Sequence, residues 1–185
     1  MIKRIGFTVL AVFALSVAAQ SQTPPQKSTL KDFNEMCALL EGRWAVDVTW
    51  IHNWAGANAV QGETAKGYEK FERILDGSAL RMTGMEGAQE VSELFYYDAA
   101  ASLIKSVRVG SGGGYSQATH WKISKTQYEI QIGAHSGERN GAVISGNVTR
   151  EFSTDGRSFM MKSKTLKLGG KQLGELKDAY KKVSP

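Results

Sequence analysis

Residues 40–50 read LEGRWAVDVTW, and the spacing of the apolar side chains changes within this stretch. Before it, apolar residues recur every three or four positions, as on one face of a helix. Within it, Trp44, Val46, Val48 and Trp50 alternate with smaller or polar residues, as in a strand with one buried face. We therefore predict a helix that ends near Gly42 and is followed directly by a first strand.

A short amphipathic helix is predicted upstream of this stretch. Thr29 is a candidate N-cap with Asp32 three residues later. The apolar stripe of the helix comprises Leu30, Phe33, Cys37 and Leu40. Cys37 is the single cysteine of the chain, so the domain has no internal disulfide, and its place on the stripe predicts a buried thiol.

Downstream of Trp50, short runs rich in aromatic and β-branched residues are separated by turn signals about every ten positions. An Asp76-Gly77 pair between two such runs is a strong hairpin signal. Residues 54–66 are predicted to form a loop. Residues 173–183 fit a helix, whereas 179–183 could be a closing strand, and a helical turn ending in a short extended piece is preferred. With the first strand there are about nine strands, the others at 68–75, 79–85, 91–97, 103–109, 115–123, 127–134, 142–152 and 158–168.

The whole pattern predicts an all-β domain with minor α content, which we assign to residues 29–185. No connection is long enough to join parallel strands, so parallel βαβ units are excluded. Consecutive strands with short links instead form an antiparallel up-and-down meander that closes into a barrel or folds into two layers.

The first nineteen residues have the features of a cleavable signal peptide. Lys3 and Arg4 precede an apolar run that is shorter than the ~20 residues of a membrane-spanning helix. Small residues before the cut site favour cleavage after Ala19, with Ser21 as the second choice, and the polar residues 20–28 then form a flexible leader. No cysteine follows the apolar run directly. We therefore expect a soluble periplasmic or secreted protein with no membrane span and no lipid anchor.

Positive charge is concentrated near the C-terminus. The chain has a formal net charge of +5, and between Lys162 and Lys182 seven lysines stand against Glu175 and Asp178. Such a segment fits either a solvated edge or weak contact with an anionic surface, and the solvated edge is favoured because aromatic residues are sparse there. Export makes nucleic acid an unexpected partner.

The Gly42-Arg43-Trp44 stretch resembles the Gly-x-Trp signature of the calycin superfamily, the lipocalins and their relatives. From residue 40 to 183 the chain is similar to bacterial secreted lipocalin-like domains of unknown function. The similarity includes the Leu-Leu-x-Gly-x-Trp opening, the hairpin at Asp76-Gly77 and the Tyr97-Asp98 turn.

This resemblance implies a lipocalin-like barrel whose base is plugged by Trp44, with Gly42 allowing the tight turn into the first strand. It also implies a basic side chain laid over the indole, for which Arg150, Lys181 and Lys182 are candidates. Heme-binding members of the superfamily use a histidine near the C-terminus. Here no histidine follows His135, which argues against a heme site, and no cofactor is expected.

The alternation of side chains predicts which aromatics face the barrel interior. If Trp44 points inward, the more apolar faces include Val107 with Val109 and Tyr128 with Ile130 and Ile132. These side chains either line a cavity for an apolar or aromatic small molecule or fill the barrel completely. The candidate lining residues are Trp50, Phe95, Tyr97, Tyr115, Trp121, Tyr128 and Met161.

Signals of catalysis or metal binding are weak. His52, His120 and His135 do not have the spacing of a metal cluster, and no metal site is predicted. His120 is interpreted as a surface or barrel-wall residue, in preference to a ligand or general base. No Gly-x-Ser-x-Gly elbow is present, and the glycine-rich residues 111–114 precede a predicted strand, so they form a flexible loop at the barrel rim and no phosphate site.

Three functions remain after the sequence has been read. The first, favoured here, is a lipocalin-like protein that binds a small hydrophobic or aromatic molecule, with no enzymatic activity expected. An isomerase or hydrolase with a shallow polar site would instead need two or three helices against a half-open sheet, with His120 and a carboxylate converging in a cleft. A surface-interaction module would use the basic C-terminal segment.

Overall fold

The computed structural model describes residues 25–53, 60–135 and 143–184. Within these ranges the chain forms one α-helix and an antiparallel sheet that closes into a barrel of ten strands. The predicted all-β barrel with minor helical content is confirmed. The predicted signal peptide, residues 20–24 of the predicted leader and residues 54–59 of the predicted loop lie outside the described residues.

The helix, α1 (Leu30–Leu40), begins where the sequence predicts it. The Thr29 hydroxyl accepts a hydrogen bond from the Asp32 N–H at 3.1 Å, and the Asp32 carboxylate accepts one from the Thr29 N–H at 2.9 Å. This reciprocal pair satisfies two backbone donors at the start of the helix. Leu30 is exposed, because the buried stripe starts only at Phe33. That stripe comprises Phe33, Met36, Cys37 and Leu40.

Strand bounds follow the predicted runs closely, with differences at two ends. β2 begins at Thr64, inside the predicted loop. The predicted strand 158–168 ends at Ser163, because Leu166 leaves the barrel wall and packs against Ile130 and Val148. The strands are β1 Gly42–Thr49, β2 Thr64–Ile74, β3 Ala79–Glu86, β4 Gln89–Asp98, β5 Leu103–Gly110, β6 Tyr115–Lys122, β7 Gln127–His135, β8 Val143–Phe152, β9 Ser158–Ser163, β10 Lys167–Leu168, β11 Lys171–Gln172 and β12 Leu176–Ser184.

The ring closes through the last strand. Each strand from β1 to β8 pairs with the next along the chain, as in a meander. β12 then pairs with β1 on one side and β9 on the other, and β9 pairs with β8. β10 and β11 form a small hairpin beside β8 that is not part of the ring.

The helical turn preferred for the first part of 173–183 is therefore wrong, whereas the extended piece at its end is confirmed as part of β12. β12 satisfies the open edges of two strands at once, and it buries Asp178 and Tyr180 on its inner face. Without β12, the facing edges of β1 and β9 would present unpaired backbone N–H and C=O groups, and β12 pairs with both edges. Residues with helical spacing adopt the extended form here because tertiary pairing outweighs local preference.

The end of the predicted leader is attached to the barrel. Ser28 is buried, and its N–H donates to the Ser102 carbonyl at 2.8 Å. The Tyr97 hydroxyl donates to the Ser28 carbonyl at 3.2 Å. Flexibility predicted for residues 20–28 thus does not extend to Ser28, because its backbone is hydrogen-bonded on both sides.

Trp44 plugs the end of the barrel next to α1. It is 1% exposed, and its indole N–H donates to the Leu40 carbonyl at 2.6 Å. The Lys182 ammonium lies 5.0 Å from its ring centroid. Of the three candidate cations Lys182 is therefore the partner, whereas Lys181 is exposed and Arg150 lies inside the barrel. Gly42 has φ 120°, a conformation that favours glycine, where the chain enters β1.

The interior has two halves. We call the half next to α1 the capped half and the remainder the distal half. An apolar cluster fills the capped half and continues along β1 to Val48 and Trp50 at the distal end. Its largest members in the capped half include Phe33, Trp44, Phe71, Leu80, Phe95, Ile104, Phe152 and Phe159. β1 and β5 run away from α1, so the glycine-rich 111–114 turn after β5 lies at the distal end.

Candidate functional site

Five of the seven predicted lining residues face the barrel interior. Phe95 and Tyr128 are 0% exposed and belong to the apolar cluster of the capped half. Tyr97 and Met161 are partly buried against the same cluster. Trp50 follows β1 at its distal end and is also buried.

Tyr115 and Trp121 face the outside of the barrel, so their prediction as lining residues is wrong. His120 is paired with Ile104 on β5 and with Ile130 on β7, both of which are buried inside. Because side chains alternate along a strand, odd-numbered neighbours of His120 on β6 point outward. Trp121 is nevertheless 4% exposed on that outer face.

The same reversal occurs on β5. Val107 and Val109 were expected inside, but Ile104, Ser106 and Arg108 occupy the inner face. The physical reason is that the interior is not apolar here: Arg108 is paired across the ladder with Glu93 of β4. The expectation that the more apolar face of a strand points inward fails where polar side chains inside the barrel pair with one another.

A charged wall lines one side of the distal half. Arg108 forms an ion pair with Glu86 of β3, and its Nη1 lies 3.8 Å from the Glu93 carboxylate. Glu69 of β2 is 2% exposed and accepts a hydrogen bond from the Tyr180 hydroxyl at 3.4 Å. The strands that supply this wall, β2 to β5 and β12, are contiguous with β1 in the ring.

Two carboxyl groups of the charged wall have higher pKa values than exposed carboxyl groups. Burial raises the pKa of Glu69 well above its usual range, and the charge of Glu86 raises it further. Burial also raises the pKa of Asp178 to about 7, against the lowering effect of the Thr49 N–H, which donates to its carboxylate at 2.7 Å. Two of the buried carboxyls therefore hold protons at pH values where exposed ones are ionised.

An apolar wall faces the charged wall across the distal half. It is supplied by β6 to β9, by the segment between β9 and β12, and by single residues at the start of β12 and after β1. Its members are Ala118, Ile130, Ile132, Ile144, Val148, Met161, Leu166, Leu173, Leu176 and Ile51. Ala118, Ile132 and Met161 face inward yet remain partly exposed. Since they lie inside a closed ring, this exposure indicates that side chains do not fill the distal half completely. Ten strands also enclose more space than the eight that suffice to hold one small ligand.

Arg150 forms the floor between the two halves. It extends from β8 toward β4 on the far side of the ring, where its guanidinium carbon lies 5.9 Å from the centroid of the Phe95 ring. The Phe159 ring centroid is 5.6 Å away. Toward the distal half, Nη2 lies 3.9 Å from the Met161 sulfur. Burial lowers the pKa of Arg150, although the guanidinium stays protonated under ordinary conditions.

Three polar side chains at this floor have buried atoms without partners. Among the described residues, no hydrogen-bond partner reaches Nε or Nη1 of Arg150, the Tyr128 hydroxyl or Nδ1 of His120. Tyr128 and Arg150 are opposite each other in the β7–β8 ladder. The His120 ring also packs against Phe95, with 5.4 Å between the ring centroids. Buried polar atoms are usually satisfied, so this cluster is the most unusual feature of the barrel.

His120 and Ser106 form a buried pair, with Nε2 2.8 Å from the hydroxyl. Burial lowers the pKa of His120 well below its usual range, and the Arg150 charge lowers it further. A serine–histidine nucleophile needs a third group that orients the ring through Nδ1, and no described residue contacts that atom. The described chain also has one helix and a closed ring, not the several helices and half-open sheet that the enzyme hypothesis requires.

At least three of the seven lysines of the basic C-terminal segment form ion pairs. Lys162 contacts Glu151 at 2.6 Å, and Lys164 and Lys177 both contact Glu175. Because these lysines have acidic neighbours, the segment presents less free positive charge than its composition indicates.

No protein-family model matches the chain, and no relative is found among curated proteins. Within the described ranges, no three His, Cys, Asp or Glu side chains are grouped as metal ligands would be. Those ranges also hold no helix with the length and apolar character needed to cross a membrane.

Proposed function

We propose that this chain is an exported, lipocalin-like protein that binds a small hydrophobic or aromatic molecule in the distal half of the barrel. The observation that carries the proposal is the apolar wall, whose inward side chains stay partly exposed inside a closed ring. Concave, mostly apolar spaces with a few converging polar groups are the usual sites for small molecules.

The structures of the two ends of the barrel also support ligand binding in the distal half. Apolar packing around Trp44 closes the capped half, so a ligand would enter from the distal end. The segment after β9 lies across part of that end, where the Gly174 N–H donates to the Ile51 carbonyl at 3.2 Å. Trp50 lies beside this entrance, which makes its fluorescence a natural reporter of binding.

Binding is tested with an uncharged naphthylamine probe whose fluorescence increases in apolar surroundings. We expect the probe to bind the purified protein and to quench Trp50, and we expect solvent extracts to contain a bound compound by mass spectrometry. A118F places a large ring in the distal half and should weaken probe binding at least tenfold. Q117F, on the outer face of the same strand, is the matched control and should bind as the wild type does.

Absence of both probe binding and a co-purifying compound would reject a binding function. Equal binding by A118F and the wild type would place the probe outside the barrel. Thermal unfolding of both variants verifies that they are folded. Export, which rests on the first nineteen residues, is tested separately by sequencing the N-terminus of the protein recovered from a periplasmic fraction: Gln20 is expected, and a retained Met1 would contradict cleavage.

A further inference from the structure

We propose that the ligand of the distal half is a hydrophobic carboxylic acid whose carboxylate binds Arg150, with Tyr128 and His120 as additional donors. This inference rests on the proposed function and specifies the chemical class of its ligand. It starts from the buried cluster of unpartnered polar atoms at the floor, not from the barrel shape.

The charges inside the barrel favour an anion at this position. Arg108 has two carboxylates, Glu86 and Glu93, at its guanidinium group. The guanidinium of Arg150 lies against aromatic rings and the Met161 sulfur, and two of its nitrogens lack acceptors. Glu93 and Glu69 are near enough for their charges to raise the pKa of Arg150, but neither accepts a hydrogen bond from Nε or Nη1. Burying a charge costs free energy unless the charge is paired and hydrogen-bonded. An anion that accepts several hydrogen bonds would therefore best satisfy the Arg150 guanidinium.

The neighbouring groups match a planar carboxylate. A guanidinium group presents parallel N–H donors that fit two carboxylate oxygens. The Tyr128 hydroxyl lies next to Arg150 in the ladder and has its hydrogen to donate. When the Ser106 hydroxyl donates to Nε2 of His120, the hydrogen of the neutral ring lies on Nδ1, which becomes a third donor.

The hydrophobic part of such a ligand has its own place. Met161 separates Arg150 from the apolar wall, is partly exposed and contacts both apolar clusters. A carboxylate that displaces the Met161 thioether from Nη2 leaves its hydrocarbon portion among Ala118, Ile132 and Leu176. On the opposite side Glu86 and Glu93 are paired with Arg108, and burial raises the pKa of Glu69 well above its usual range.

The test compares ligands that share one hydrocarbon chain and differ in the head group. Dodecanoate, methyl dodecanoate and dodecyltrimethylammonium compete with the uncharged naphthylamine probe at pH 8, below their micelle concentrations. We expect dodecanoate to bind at least tenfold more tightly than its ester, and the cation to bind least. R150M should bind acid and ester within twofold of each other while keeping the wild-type affinity for the ester. R81M removes an outward-facing arginine of β3 and is the matched control, for which no change is expected.

Y128F provides a readout that does not depend on the folding of R150M. It removes only a hydroxyl without a partner, so the unliganded variant should unfold at the same temperature as the wild type or higher, whereas dodecanoate affinity should fall several-fold and ester affinity should not. Equal affinities of the wild type for acid and ester, tighter binding of the cation, or an acid preference that survives R150M would each overturn the carboxylate site while leaving hydrophobic binding intact. Failure of the probe itself to bind, together with the absence of a co-purifying compound, would instead reject the proposed function.

Discussion

Replacing Asp178 by asparagine removes an ionisable group from the charged wall and should make the protein more stable at alkaline pH. The carboxyl is 7% exposed, and burial raises its pKa to about 7 from an ordinary value of 3.8. A group whose pKa is higher in the folded chain binds its proton more tightly when folded. The free energy of unfolding therefore falls as pH rises from the unfolded to the folded pKa.

The size of the effect follows from that difference. Each pKa unit corresponds to about 1.4 kcal/mol, so ionisation of Asp178 costs the folded state at most about 4 kcal/mol above pH 7 and nothing below about pH 4. Asparagine keeps the oxygen that accepts the Thr49 N–H and carries no charge beside Glu86. The stability advantage of D178N should thus grow by about 1.4 kcal/mol per pH unit between about pH 4 and 7, then level off.

Urea unfolding of the wild type and D178N at half-unit steps from pH 4.5 to 8.5 measures this difference directly. Contributions of Glu69 and His120 to the pH dependence are common to both proteins, so they cancel to first order. E175Q is the control, because Glu175 is an exposed carboxyl whose pKa is lowered by its hydrogen bond to Lys177; its effect should stay within about 1 kcal/mol. Parallel stability curves for D178N and the wild type would show that Asp178 is ionised at the same pH when folded and unfolded, and would refute the reasoning.

Two further predictions concern the capped end. Cys37 is 0% exposed and burial raises its pKa to about 12, so a thiol-specific colorimetric reagent should react with the native protein only as it unfolds; rapid stoichiometric labelling without denaturant would contradict this. K182M removes the ammonium over Trp44 and should cost about 1 kcal/mol of unfolding free energy, with a change in indole emission, whereas its outward-facing neighbour K181M should cost less than about 0.5 kcal/mol. If urea unfolding shows equal effects for the two lysine variants, the cation–π contact does not stabilise the folded protein.

The polar interior explains where sequence reasoning about the site succeeded and where it failed. Parity from Trp44 placed the inner face of β1 correctly, and the choice of the more apolar face put Phe95, Tyr128 and Met161 inside. On β5 and β6 the apolar face is the outer one. Ser106, Arg108 and His120 lie inside because their partners lie there, and those partners are distant in sequence.

Arg150 was named from the sequence only as one possible cation over Trp44. Its actual position at the floor depends on which side chains lie across the ring from β8, and the nearest of these, Phe95, is 55 residues away in the chain. The one local indication that Arg150 faces inward is Phe152. It lies two residues later on the same face of β8 and is buried. The signal becomes informative only once the face of the strand is known.

The sequence by itself determined the local elements: the capping box at Thr29, the change from helical to alternating spacing at Gly42 and the Asp76-Gly77 hairpin. These depend on backbone preferences and side-chain periods within a few residues, which is why they can be read without the fold. Only the tertiary structure decided that the last residues form the tenth strand, that Lys182 covers Trp44, and that a charged wall faces an apolar one above Arg150. Each of these arises from ring closure, because closure alone sets which strand edges need a partner and which buried charges lie opposite one another.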